Sequence, residues 1–144
     1  MLDASPITRY LSVGGAPEPG FYGARFDVVV LVSKEYQPRT GDIQGVVVRR
    51  YPFDDSLTPT RGDLRTAWEA ATTVANDVMR GRRVLVTCSM GRNRSALVAA
   101  LALHMVTGMS GERAMKEVQA RRVDRLGVRA LSNPAFRGFL RAQR

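Results

Sequence analysis

Valine-rich runs bounded by glycine or proline alternate along the chain with longer stretches in which apolar residues recur every three or four positions. Phe26 to Val32, Val46 to Val48 with its flanks, and Arg83-Val84-Leu85-Val86-Thr87 have the length and β-branched content of buried strands. Ile7 to Val13, closed by Gly14-Gly15, is a further strand candidate, and the stretch from Gly14 to Gly23, with Pro17, Pro19 and Gly20, reads as a turn-rich connector. From about Arg61 to Arg80 the residues Leu64, Ala67, Trp68, Ala71, Ala75 and Val78 share one helical face. Thr58-Pro59 or Thr60 can start this helix and Gly81 can stop it. Almost every position from Ser95 to Thr107 is apolar, which predicts a helix buried on most sides and ended by Gly108. A third helix follows Ser110 with Ala114, Met115 and Val118 inward, and Asn133-Pro134 opens a last one that runs to about Ala142. Strands followed by helices in this order predict a single-domain α/β fold, a central sheet flanked by helices and covered on both faces, over residues 1–144. No repeat, low-complexity tract or linker divides the chain.

Composition narrows the class. A length of 144 residues suits one domain, and 44% hydrophobic with 24% charged residues argues against wholesale disorder. Lys and Arg outnumber Asp and Glu by 22 to 13, a net charge of +9, and Lys34 and Lys116 are the only lysines. So arginine-rich a surface attracts anionic or phosphorylated partners, although a general enrichment in arginine is the other source of such a balance. Arg121, Arg122, Arg125 and Arg129 read as a solvated basic face, or else as a secondary docking surface for acidic substrate. Cys88 is the single cysteine, which excludes an intrachain disulfide and a structural Cys₄ or Cys₂His₂ zinc site. A reducing, cytoplasmic setting is expected, without a metal or a cofactor. The first residues carry neither a basic nor an apolar leader region, so no signal peptide is expected. The longest apolar run, Ala96 to Leu103, is too short to span a bilayer.

The segment that carries chemistry runs from Val84 to Ser95. A strand delivers Cys88 to the end of a sheet, and Ser89, Met90, Gly91, Arg92 and Asn93 must loop before the apolar helix begins. Such a loop presents successive backbone N–H groups at a helix N-terminus, an anion site by geometry and by dipole. Gly91 permits a tight turn, and Arg94 in the first helical turn has the planar fork that grips two phosphate oxygens. The same field favours a thiolate at Cys88. The plainer alternative is an inert cysteine buried at the end of a strand.

In this context Cys88, Gly91, Arg94 and Ser95 resemble the signature of the cysteine-based protein tyrosine phosphatases, in their small dual-specificity branch. The Leu11 to Gly15 turn, the Phe26 to Ser33 strand, the Tyr51 to Pro59 loop and the Leu131 to Phe136 segment match that family in order and spacing. One position departs, with Thr87 standing where the family usually has His. The resemblance implies a protein tyrosine phosphatase fold and a metal-independent phosphomonoesterase. Cys88 would be the nucleophile, residues 89–94 the phosphate-binding loop, and Ser95 the hydroxyl that assists departure of the sulfur. Tyr51-Pro52-Phe53-Asp54-Asp55-Ser56 offers two carboxyls for the general acid, and the resemblance favours Asp55 over Asp54. Helix capping would equally explain Ser95, a solvated rim Arg92, and turn preference Asn93.

Phosphorylated proteins are the implied substrates, with phosphoinositides and RNA 5′-polyphosphates as rivals within the same chemistry. Nucleic acid ranks second to protein as a partner, and no membrane span is implied. Two other classes compete: a non-catalytic phosphate-binding module, marked by Thr87, and a rhodanese-like sulfurtransferase, which needs no upstream aspartate. His104 lies ten residues past Arg94, about 15 Å along the helix, which argues against a Cys-His protease.

Overall fold

The strand β7 (Val84–Thr87) forms the middle of the main sheet, and everything that matters for the site hangs from its carboxyl end. The computed structural model describes residues 2–35, 37–123 and 126–144, so Arg125 of the basic cluster lies outside the described residues. In chain order the other strands are β1 (Ala4–Pro6), β2 (Leu11–Gly14), β3 (Gly20–Phe21), β4 (Val28–Ser33), β5 (Ile43–Gln44) and β6 (Val47–Phe53). The helices are α1 (Arg61–Met79), α2 (Arg94–Thr107), α3 (Gly111–Arg121) and α4 (Pro134–Arg141). Five strands form one sheet in the order β1-β2-β7-β4-β6, antiparallel only between β1 and β2, while β3 and β5 form a small parallel pair.

Strand side chains alternate between two cores, as a pleated backbone requires. Val28, Val30 and Val32 of β4 face the helices together with Leu11, Val13, Val84 and Val86, whereas Val29, Leu31 and Leu85 face Tyr22, Phe26 and Ile43. The sheet is thus an α/β sheet covered on both faces, but all four helices contribute to one core only. The opposite face is covered by the connectors around β3 and β5, whose prolines and glycines suit turns better than helices.

Helix α1 starts where the sequence places it. The Thr60 hydroxyl accepts the Asp63 N–H at 3.0 Å, and the Asp63 carboxylate accepts the Thr60 N–H at 3.2 Å, a reciprocal cap. Its inward face differs from expectation at one position. Ala67, Ala70, Ala71, Val74 and Ala75 are buried, but Trp68 remains 37% exposed. Small residues let α1 lie close on α2, whose positions from Arg94 to Leu103 are all buried, and an indole would not fit that contact. The segment Tyr51-Pro52-Phe53, read as the start of a loop, is the last part of β6. This is an edge strand, where a proline without an N–H is tolerated.

The register pairs Gly14 and Leu31 with Thr87, so the carboxyl ends of β2, β4 and β7 lie side by side, and β6 ends next to Ser33 at Phe53. That edge is where parallel sheets hold their ligands.

Candidate active site

Cys88 leaves β7 with its N–H donated to the Gly14 carbonyl at 3.3 Å, and the chain then curls back over its own sulfur. The Gly91 N–H donates to Cys88 Sγ at 3.2 Å, and Ser95 Oγ lies 3.2 Å from the same atom. Both contacts are buried, so the sulfur lies against one backbone N–H and one hydroxyl group. Gly91 has φ of +68°, and a Cβ there would meet Arg122 and come within 2.6 Å of the Gly14 carbonyl, so conformation and space both demand glycine. Thr87, the departure from the family pattern, is buried in β7.

Arg94 opens α2 and is almost wholly buried. Its Nη1 donates to Glu35 Oε2 at 3.0 Å and to the Phe53 carbonyl at 3.3 Å, and its Nη2 donates to Glu35 Oε1. A guanidinium has five N–H bonds. Those contacts engage three, leaving Nε–H and the second Nη2–H, which share one edge of the fork. Nε is buried and meets no acceptor among the described residues. Two parallel donors on one edge match two oxygens of a phosphoryl group.

Glu35 carries no signal in the sequence reading beyond its place just after β4. The Arg94 hydrogen bond, working against desolvation, holds its carboxyl down at about 2. Burial works against the charge on Arg94, but the Glu35 hydrogen bond and the nearby Cys88, Glu35 and Asp55 outweigh it and raise the guanidinium further above its ordinary value. The folded-state value of Glu35 is depressed, so the pair's contribution is fully present above the ordinary carboxyl range and is lost as pH falls through about 2. Glu35→Gln should therefore lower kcat/KM for a phosphate monoester by about tenfold, a charged hydrogen bond's worth, and by the same factor from pH 4 to pH 8. Rate profiles of the two proteins that converge within that range would show that Glu35 titrates there.

The two aspartates that follow β6, Asp54 and Asp55, point apart. Asp54 pairs with Lys34 at 3.3 Å in solvent. Asp55 turns toward the Cys88 loop, with one carboxylate oxygen accepting from Asn93 Nδ2 and the other from Asn133 Nδ2, each at 2.9 Å. Asn133 is the N-cap of α4, as its sequence position predicts, and its Oδ1 accepts the N–H groups of Ala135 and Phe136. Asn93 Oδ1 in turn accepts the Asn133 N–H at 3.1 Å. One capping residue thereby fastens the Asp55 segment, Asn93 and α4 together. Just before it, Leu131 is buried at φ of +58°, an uncommon conformation for leucine, and its N–H donates to the Arg92 carbonyl at 2.7 Å.

The basic cluster requires a correction. Arg122 is not part of a solvated face, because its side chain is fully buried beneath the loop. Its Nε donates to the Gly91 carbonyl at 2.9 Å, Nη2 to the Met90 carbonyl at 3.1 Å, and Nη1 and Nη2 to Asp3 at 2.9 and 3.0 Å. Carbonyls that point down onto a cation leave the loop's amides pointing up, which is the polarity an anion site needs. Glycines at 14 and 15 make room for Asp3, since a Cβ at Gly15 would lie 2.6 Å from its carboxylate. His104 bonds the Met109 carbonyl through Nδ1 at 2.6 Å, at the far end of α2. Among the described residues no three His, Cys, Asp or Glu side chains gather as a metal-binding group, and no helix is long and apolar enough to cross a membrane.

The arrangement of sheet and helices is similar to that of solved phosphatase structures. The crystal structure of human DUSP28 superposes with a TM-score of 0.75 at 22% identity, covering 96% of this chain and 90% of that one. Tk-PTP in its active form gives a TM-score of 0.74, also at 22% identity, over 97% of both chains. In sequence, mouse cyclin-dependent kinase inhibitor 3 is 29% identical over 75 residues, or 52% of this chain. That stretch is 34% of the mouse protein, so the chain matches about a third of the length of this curated relative. No family model matches the chain.

Proposed function

We propose that the chain is a phosphomonoester hydrolase working through a cysteinyl-phosphate intermediate, with phosphorylated proteins as its substrates and residues 1–144 as one catalytic unit. The observation that supports it best is the buried Arg94 Nε, which meets no acceptor among the described residues and follows the loop whose Gly91 N–H donates to the Cys88 sulfur. In this reading the substrate phosphoryl group is gripped by the Arg94 edge and by the amides of residues 89–94. Cys88 Sγ attacks phosphorus as the P–O bond to the leaving group breaks, and protonated Asp55 gives its proton to the departing oxygen. Water then attacks the cysteinyl phosphate, Asp55 takes its proton, and Ser95 stabilises the sulfur as it leaves. Two amide donors on Asp55 are the pattern of an ionised carboxylate, the state it holds between the two steps. Exposed Met90 and Leu57, on the phosphate loop and just after Asp55, offer apolar contact to a peptide.

Release of p-nitrophenol from p-nitrophenyl phosphate in the presence of a chelator, inhibited by vanadate, is the expected result. Absence of turnover would favour a phosphate-binding module instead. Asp55→Asn should slow hydrolysis of a phosphopeptide by about 10² to 10⁴ and hydrolysis of p-nitrophenyl phosphate far less, because nitrophenolate leaves without a proton. A larger loss from Asp54→Asn would move the acid to the neighbouring residue. Faster turnover of a phosphoinositide or a 5′-triphosphorylated RNA than of any phosphopeptide would reassign the substrate while leaving the chemistry in place.

A further inference from the structure

Residues 7–10 turn the chain from β1 into β2 at the amino ends of β4 and β7, the opposite end of the sheet from Cys88. The turn is well tied, with the Ile7 and Thr8 N–H groups both donating to the Leu11 carbonyl at 2.8 and 3.1 Å. A pocket opens on each side of it. One, of about 220 Å³, is lined by Arg9, Arg25 and Arg83 with Ser12 and Phe26. The other, of about 240 Å³, is lined by Leu11, Val78, Leu103 and Val106, and Arg9 and Tyr10 wall both.

The three arginines of the first pocket are not equivalent. Arg83 is neutralised by Asp27 through Nη2 at 3.0 Å and Nε at 3.1 Å, a pairing that holds the Asp27 carboxyl down at about 2. Arg9 and Arg25 meet no carboxylate among the described residues. Instead each guanidinium lies over the ring of the next residue, Arg9 on Tyr10 at 5.4 Å and Arg25 on Phe26 at 5.5 Å. Stacking holds a guanidinium by its face and leaves its N–H edge free for an anion. Two such groups on the wall of a small concavity suit one phosphoryl dianion, and Ser12 lines the same pocket.

We propose that this turn is a docking site for a phosphopeptide segment, whose phosphoryl group is held by Arg9 and Arg25 and whose neighbouring apolar side chain enters the pocket between Val78 and Val106. The peptide would lie across Arg9 and Tyr10. A nucleic-acid strand supplies phosphates but no aliphatic group for the second pocket, and a flat membrane surface does not reach two concavities on opposite sides of one turn. Val84 lines the basic pocket and opens β7, and Cys88 follows the last residue of that strand, about 13 Å away at 3.3 Å per residue. A segment docked here leaves the Cys88 loop open, and its binding does not depend on the chemistry at that loop.

Fluorescence polarisation with Cys88→Ser protein and a labelled peptide of glycine and serine, carrying one phosphoserine and one leucine two positions apart, tests the site. Adding Arg9→Gln and Arg25→Gln should weaken binding by about tenfold or more, the loss of two charged hydrogen bonds, whereas Arg113→Gln with Arg144→Gln, an equal change of charge elsewhere, should not. Val106→Arg should weaken the leucine peptide several-fold and leave a peptide with glycine in place of leucine unaffected. Equal losses from the two arginine pairs would show that net charge alone binds the peptide. Equal binding of the unphosphorylated peptide would overturn the proposal, as would tighter Arg9- and Arg25-dependent binding of an oligonucleotide or an anionic vesicle.

Discussion

Cys88→Ser should abolish hydrolysis of p-nitrophenyl phosphate, a loss of at least about 10⁴-fold, while inorganic phosphate still binds within a few-fold of its original affinity. The asymmetry follows from what the substitution touches. Serine is nearly isosteric, so the Gly91 N–H, the Arg94 edge and the Arg122 brace stay in place and continue to hold an anion. What disappears is the proposed nucleophile, because an alcohol is far less ionised than a thiol at neutral pH and oxygen in turn is a poorer leaving group in the second step. Calorimetry with phosphate and a steady-state assay read the two halves separately. Sustained hydrolysis by the serine protein would rule out a cysteinyl phosphate. Loss of phosphate binding together with turnover would mean that the sulfur organises the loop rather than attacks.

Arg122→Met should cost about 3 to 5 kcal/mol of stability, more than any surface substitution in this chain. Methionine fills the space but leaves the Asp3 carboxylate, 14% exposed, without its cation, and leaves the Met90 and Gly91 carbonyls without donors. For a domain of this size such a loss lowers the melting temperature by about 10 °C. Protein that remains folded should bind phosphate poorly, since the loop carbonyls no longer have a reason to point inward. Adding Asp3→Leu should recover part of the stability by removing the stranded charge, without restoring phosphate binding. If the melting temperature of Arg122→Met matches that of the parent protein, the buried pair does not brace the loop.

The two substitutions differ in how visible their residues are in the sequence. Cys88, Gly91, Arg94 and Ser95 belong to one contiguous strand-loop-helix, so local rules of strand length, turn chemistry and helix start bring them together before any tertiary contact forms. The same locality made the caps at Thr60, Ser110 and Asn133 readable, because each acts within its own first turn. The α/β class followed from alternating short valine runs and longer helical periods, a pattern that backbone geometry imposes on the sequence itself. Trp68 misled because periodicity places a residue on a face but does not say how closely the neighbouring helix approaches.

Tertiary structure alone decided the rest. Asp3 and Arg122 are 119 positions apart, Glu35 and Arg94 are 59, and Asp55 and Asn133 are 78. No local propensity marks such pairs. A charged residue in a helix or a turn reads as solvated by default, and only the folded chain shows which charge has been drawn under a loop. Arg122 therefore looked like one more arginine in a basic stretch, and Asp54 and Asp55 were equivalent by composition. Their difference arises from the direction in which the end of β6 aims consecutive side chains, one into solvent and the other onto two asparagines. Sequence by itself determined the strand-loop-helix that presents Cys88 and Arg94 together, since that depends on neighbours in the chain. The fold determined what surrounds it, since desolvation and charge pairing depend on neighbours in space.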